Sequence, residues 1–172
     1  MKKVIIIIMF SFLLTGCTGV PSGVKAIDNF EIEKYLGTWY EIARLDHSFE
    51  RNLNNVSATY TLRDDGGIDV LNKGFDLSKN TWKQIKGKAY FIDDRTTGRI
   101  KVSFFWPFYG SYNIIRLDKE TYSYAMVCGP NRSYLWILAR KKSLNEQIIN
   151  NLLEFAEKTG FETDKLIFVE QN

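Results

Sequence analysis

Histidine is almost missing from this chain: among 172 residues there is one, His47. Cysteine occurs twice, as Cys17 and Cys128. Metal and haem sites draw on several imidazoles or thiolates at fixed spacings, so neither a metal nor any other cofactor is expected. An excess of one charge is also lacking, with 23 Lys and Arg against 20 Asp and Glu. A nearly balanced surface gives nucleic acid no electrostatic footprint. Beyond Leu14 no apolar run is long enough to cross a bilayer.

The one continuous apolar run is Val4 to Leu14, and it sits behind Lys2 and Lys3. A basic start, a short apolar stretch and the small residues Thr15 and Gly16 form an export signal, too short for a membrane span. Leu14-Thr15-Gly16-Cys17 is similar to the lipobox of bacterial lipoproteins, in which cleavage precedes the cysteine and lipid is attached to it. The expected organisation is a signal peptide over 1–16, a lipidated tether over 17–26 and one barrel domain over 27–172. Acylation at Cys17 would hold the protein to the membrane. Thr18 stands where an Asp would signal retention at the inner membrane, so the expected location is the bacterial outer membrane, facing the periplasm. With Cys17 acylated, Cys128 has no partner, and the domain must stand without a disulfide although it is exported.

Past the tether, runs with a two-residue period predict eight strands: 38–45, 56–63, 68–75, 82–92, 99–105, 111–117, 122–128 and 134–140. Lys86 to Phe91 and Arg99 to Phe104 show the alternation most clearly, one face wet and the other dry. Asp64-Asp65-Gly66-Gly67 predicts a tight hairpin turn, since Asp and Gly tolerate positive φ. A helical turn is expected at Phe30 to Tyr35. Ser143-Leu144-Asn145-Glu146 predicts a capped amphipathic helix burying Leu144, Ile148, Leu152, Phe155 and Ala156, stopped at Gly160. Leu166 to Val169 can return as a short strand. Sequential short connections favour an all-β, eight-stranded antiparallel up-and-down β-barrel, closed on itself, with one C-terminal α-helix packed outside.

Gly37-Thr38-Trp39-Tyr40 opens the first strand, and Trp136-Ile137-Leu138-Ala139-Arg140 forms the last. Glycine permits a tight entry, and a tryptophan two residues on can plug one end of the barrel beneath a guanidinium. With Tyr35-Leu36 before the first motif, Leu135 before the second, eight strands between them and one helix after, the chain resembles the lipocalin family. The resemblance is specifically to the family's bacterial members, which are close to apolipoprotein D. The resemblance implies a ligand cavity and a base built from Gly37, Trp39 and Arg140. The family's middle Thr-Asp-Tyr motif reads Leu117-Asp118-Lys119 here, so only Asp118 matches.

If Trp39 faces inward, the two-residue period turns Glu41 and Ala43 inward too, and Trp136 brings Tyr134 and Leu138. The resemblance adds Tyr60 and Asn72. Alternation supplies Ala58, Leu62, Val70, Ile85, Gly87, Ala89, Phe91, Ile100, Val102, Phe104, Tyr112, Ile114, Ala125 and Val127. From this lining, Tyr60, Asn72, Ala89, Phe91, Val102, Phe104, Tyr112, Ile114, Ala125, Val127, Tyr134 and Trp136 are the candidate ligand contacts. The lining suits the acyl chain of a fatty acid or lysophospholipid, each buried methylene contributing about 0.8 kcal/mol. These side chains can equally fill a small barrel with no room to spare.

Loops 46–55, 76–81, 106–110 and 129–133 should surround the open end, with Arg51 and Arg132 placed for an anionic head group. Trp106-Pro107-Phe108-Tyr109 is almost wholly aromatic. It could meet a lipid tail, rest on a membrane, pack on a second copy in a homodimer or fold under its own rim. Catalysis would have to centre on Glu41, a lone inward acid with Tyr112 or Arg116 as expected partner, or on Cys128, which is out of phase with the cavity. A binding protein is therefore the expected class, not an enzyme, and an envelope protein-interaction module the alternative.

Overall fold

The computed structural model describes residues 18–172. Cys17 and the segment assigned to the signal peptide lie outside the described residues. After a short helix, α1 (Ile32–Tyr35), eight strands follow in meander order: β1 (Gly37–Leu45), β2 (Leu53–Leu62), β3 (Ile68–Asp76), β4 (Thr81–Phe91), β5 (Arg99–Phe105), β6 (Phe108–Leu117), β7 (Tyr124–Cys128) and β8 (Leu135–Ala139). Helix α2 (Glu146–Lys158) and a last strand, β9 (Leu166–Phe168), complete the chain. Each strand pairs antiparallel with the next, and β1 closes the ring by pairing with both β8 and β2. Closure leaves no free edge among these eight, the advantage that an open sheet of short strands lacks.

The turns behave as their residues dictate. At Asp64–Gly67, Gly66 takes φ +80° and the Gly67 carbonyl accepts from the Arg63 amide at 2.9 Å, so β2 and β3 form a tight hairpin. Trp106 and Pro107 alone join β5 to β6, so the expected loop 106–110 is instead the tip of a long hairpin. Asn145, not Ser143, caps α2: its side chain accepts from the Gln147 amide at 2.8 Å. Gly160 follows the helix with φ +85°, the left-handed stop that glycine supplies without strain.

Two apolar clusters divide the molecule. One fills the barrel, with Phe30, Tyr35, Trp39, Ile68, Ile100, Ile114 and Val127 among its buried members. The other joins the outer face of β1, β7 and β8 to α2 through Ala43, Met126, Ile137, Leu152 and Ala156. Ala43 therefore faces the helix, contrary to the expectation from alternation. The cause is a bulge in β1, where pairing with β8 steps from Glu41 opposite Leu138 to Ala43 opposite Ile137. One extra residue reverses the facing of everything after it, so Ala43 turns out and Arg44 turns in.

Beyond Tyr40, β1 and β2 part, and the chain end fills the seam. β9 pairs with Ala43–Leu45, the Gln171 side-chain amide donates to the Glu41 and Val56 carbonyls, and the Asn55 amide donates to the Glu170 carbonyl. At the other terminus, residues 18–26 run along the barrel wall. Arg99 donates to the Thr18 carbonyl, Asn113 to that of Gly19 and Arg132 to that of Ser22, and Val24 is buried. This stretch is fixed to the wall through these contacts, where the sequence suggested a tether.

Candidate functional site

The closed end is built around Trp39, which is fully buried. Gly37 enters β1 at φ +90°, which brings the chain up from α1 beneath the barrel. The Trp39 indole donates to the Tyr35 carbonyl at 2.8 Å and stacks on the Tyr35 ring. The Arg140 guanidinium lies 4.0 Å from the Trp39 ring and donates to the carbonyls of Lys34, Thr38 and Tyr122. One side chain thus ties α1, β1 and the turn before β7 to the end of β8, while its charge rests on the indole face. Emptying such a plug costs about 3–5 kcal/mol.

Above this floor three phenols meet. The Tyr35 and Tyr112 hydroxyls are 2.7 Å apart, and Tyr60 donates to Tyr112 at 2.8 Å. Burial raises the pKa of all three well above the usual phenol range, so they stay neutral. Three O–H groups share two contacts, which leaves one proton without an acceptor among the described residues. Asn72 supplies the complement: it shares the inward face with Ala58, its register partner, and its buried Oδ1 has no donor.

Among the residues singled out from sequence, Tyr60, Ala89, Phe91, Val102, Phe104, Tyr112, Ile114, Ala125, Val127 and Trp136 fall in the single interior cluster. Ala89, Ile114, Ala125 and Val127 are buried in the filled part of the barrel. Val102, Phe104, Tyr112 and Trp136, with Ala58 opposite Trp39, are only partly buried although they face inward, so the lumen is not filled at these positions; Leu62 is partly buried too, beside the closed-end β2–β3 turn. Phe91 packs on Phe30 near the floor. Ile85 keeps 37% of its surface exposed on the projecting β3–β4 hairpin. Tyr134 lies before β8, outside the interior cluster, in a mouth-side group of rings with His47, Phe49 and Trp136. Arg51 pairs with Asp46, and Arg132 is spent on the Thr159 and Ser22 carbonyls, so neither rim arginine is free to meet a head group as expected.

Between lumen and mouth lies a charged group that alternation alone did not reveal. Glu41 is paired with Arg44 at 2.6 Å, not with Tyr112 or Arg116; the latter packs on the Phe155 ring outside. Arg44 also donates to the Glu50 and Leu53 carbonyls, while Glu50 faces His47 at 2.9 Å and accepts from the Trp136 indole at 3.0 Å. Burial, with the Glu50 carboxylate beside it, holds the Glu41 pKa well above the usual range, and Arg44 offsets this in part. Glu50 moves the other way: burial opposes its charge, but His47, Trp136 and Arg44 prevail and lower its pKa. The two carboxyl groups are therefore drawn apart, Glu41 toward its protonated form and Glu50 toward its charged form. In a straight strand Glu41 and Arg44 face opposite sides; only the bulge between them makes the pair possible.

A family model described as a lipocalin-like domain matches residues 30–171. The chain belongs to the lipocalin family. This lipocalin is 52% identical over 169 residues to the outer membrane lipoprotein Blc of Vibrio cholerae, covering 98% of this chain and 99% of the relative. It is 50% identical to the protein of the same name from Escherichia coli K12, over 94% and 92% of the two chains. Mouse apolipoprotein D is 33% identical over 94% and 85%. Among solved structures, insecticyanin from the tobacco hornworm Manduca sexta superposes with a TM-score of 0.71 at 20% identity, over 88% and 86% of the two chains. That likeness is one of fold.

Proposed function

We propose that this lipocalin is a lipid-binding lipoprotein of the bacterial outer membrane that stores or transports a fatty acid or lysophospholipid in its barrel, in the service of envelope maintenance. The carrying observation is a closed barrel whose inward side chains are apolar yet reached by solvent: Ala58, Val102, Phe104, Tyr112 and Trp136. An acyl chain displacing that water gains about 0.8 kcal/mol per methylene. The free phenolic proton of the tyrosine group and the bare Asn72 oxygen suit a ligand that also carries hydroxyl or carboxyl oxygens. Attachment through an acylated Cys17, with the barrel on the periplasmic side, fits the export signal and the names of the Vibrio and Escherichia relatives.

Binding without catalysis is favoured by the surroundings of the two candidate centres. Burial pushes the Cys128 thiol up to about 12, so it stays protonated on the helix side of the barrel. Glu41 is held by Arg44 within the buried ion-pair group.

Organic extraction of the purified protein followed by mass spectrometry should recover fatty acid or lysophospholipid. Ala58→Trp should fill the lumen above the floor and abolish displacement of a fluorescent fatty acid, while Glu157→Trp, on the exposed side of α2, should leave it intact. Undiminished binding by a folded Ala58→Trp variant would exclude the lumen.

A further inference from the structure

Large apolar side chains collect at the mouth of the barrel. Phe49, Leu77 and Trp106 stand exposed on the connections of the β1–β2, β3–β4 and β5–β6 hairpins, Trp106 at 82%, and Trp82, Phe105 and Phe108 on the strand ends beside them. Isolated exposed apolar residues need no explanation; six on one end of a soluble barrel do. The β5–β6 tip carries three of them and stands beside a basic wall. Lys86 and Lys88 on β4 share an outward groove of about 670 Å³ with Trp106 and Tyr109, and the Lys101 ammonium sits 5.1 Å from the Tyr109 ring. Among the described residues none of these three lysines has a carboxylate within ion-pair distance, whereas Arg51 and Lys83 at this end are paired.

We propose that the mouth of the barrel docks directly on an anionic phospholipid bilayer, with the β5–β6 tip entering the interface and Lys86, Lys88 and Lys101 meeting lipid phosphates. Aromatic rings at the boundary with lysines at head-group level are the arrangement that such an interface favours. Charge complementarity commits the occupant to an anionic membrane, since lysines without carboxylate partners lie beside the exposed aromatic tip. Arg99 and Asn113, register partners near the base of the same β5–β6 hairpin, hold the Thr18 and Gly19 carbonyls, so the chain enters the barrel on this hairpin directly after Cys17. The described chain thus begins on the hairpin that carries the tip, at its base, with the length of β5 between the two. Docking needs no lipid on Cys17, so it stands apart from the anchor and from the identity of the cargo.

The segment from Thr18 onward contains every strand and helix described above, so it can be tested without the signal peptide or anchor. It should co-float with vesicles of phosphatidylcholine containing about a third phosphatidylglycerol, and weakly with phosphatidylcholine alone. Brominated lipid should quench Trp106 in a Trp82→Phe background. Replacing Phe105, Trp106 and Phe108 by Ser should abolish flotation. Lys86→Gln, Lys88→Gln and Lys101→Gln should each weaken it about fivefold, and high salt should mimic their combined effect. Near-UV circular dichroism confirms that each variant is folded. Equal binding to charged and neutral vesicles, or flotation that survives the triple Ser change, overturns the proposal. So does a dimer in sedimentation that the Ser changes dissolve while vesicles fail to bind, which would make the tip a contact between copies of this chain.

Discussion

Two buried carboxyl groups lie side by side in this barrel, Glu41 paired with Arg44 and Glu50 with His47 and Trp136, and these partners set how they titrate. Glu41, with its raised pKa, binds its proton more tightly when folded. The stability it contributes is complete below the ordinary glutamate value and is lost as pH rises through the folded value. Glu50, with its lowered pKa, contributes above the ordinary value and loses that contribution as pH falls. Glu41→Gln should therefore melt close to the parent at neutral pH, and its standing relative to the parent should improve as pH rises above the ordinary glutamate value. Glu50→Gln should cost about 3–5 kcal/mol near neutrality, because it removes the buried carboxylate that accepts from the Trp136 indole and faces His47. Equal losses in thermal melts of the two variants would mean that the proton is not on Glu41. At this scale the sequence was partly legible. Trp39 and Arg140 carried their own partnership, since a plug and a cation over it are a matter of residue type. Arg44, His47 and Glu50 did not, because their meeting depends on a bulge that no period of two anticipates.

Strands and turns were far more readable than contacts, because hydrophobic alternation and turn chemistry are local. Every strand expected from alternation is present, with ends shifted by a few residues where a hairpin runs on, as at Phe108 to Gly110. The start of α2 moved two residues because Asn145 competes with Ser143 as a cap and wins the Gln147 amide. Asp118, the one residue of the middle motif that matched, proves to organise the turn between β6 and β7. It accepts from the Ser123 hydroxyl at 2.6 Å, from the Thr121 hydroxyl and from the Glu120 and Ser123 amides. Partial burial works against its charge, yet the Ser123 and Thr121 donors prevail and hold its pKa at about 2. A depressed carboxyl contributes stability above its unfolded value, about 3.9, and loses it as pH falls through the folded one. Asp118→Ala should cost about 1–2 kcal/mol at neutral pH and flatten the decline of stability in this acid window. Urea titrations across that range measure it; a parallel decline in parent and variant would count against the turn as an acid-sensitive element.

At the scale of the whole molecule, what alternation could not resolve was how full the barrel is, since inward phase says nothing about depth. Ala89 and Ala125 lie in the filled part and Ala58 beside the open lumen, although all three read alike in sequence. Attachment to the membrane also belongs to this scale. Cys17→Ser should leave the protein uncleaved or soluble, and fractionation of cells should find it depleted from the outer membrane; an unchanged outer-membrane share would refute the lipobox. The seam beside β1 has a temporal consequence as well. Tyr40 pairs with Ala139, Arg44 with Ile167, and the Asn55 amide donates to the Glu170 carbonyl. The first strand thus finds neighbours among residues made after every other strand of the barrel. Closing so long a loop is slow, and until the final few residues arrive the sheet has an unsealed side. A chain wired in this order seals its barrel late, whatever the order in which its other hairpins form.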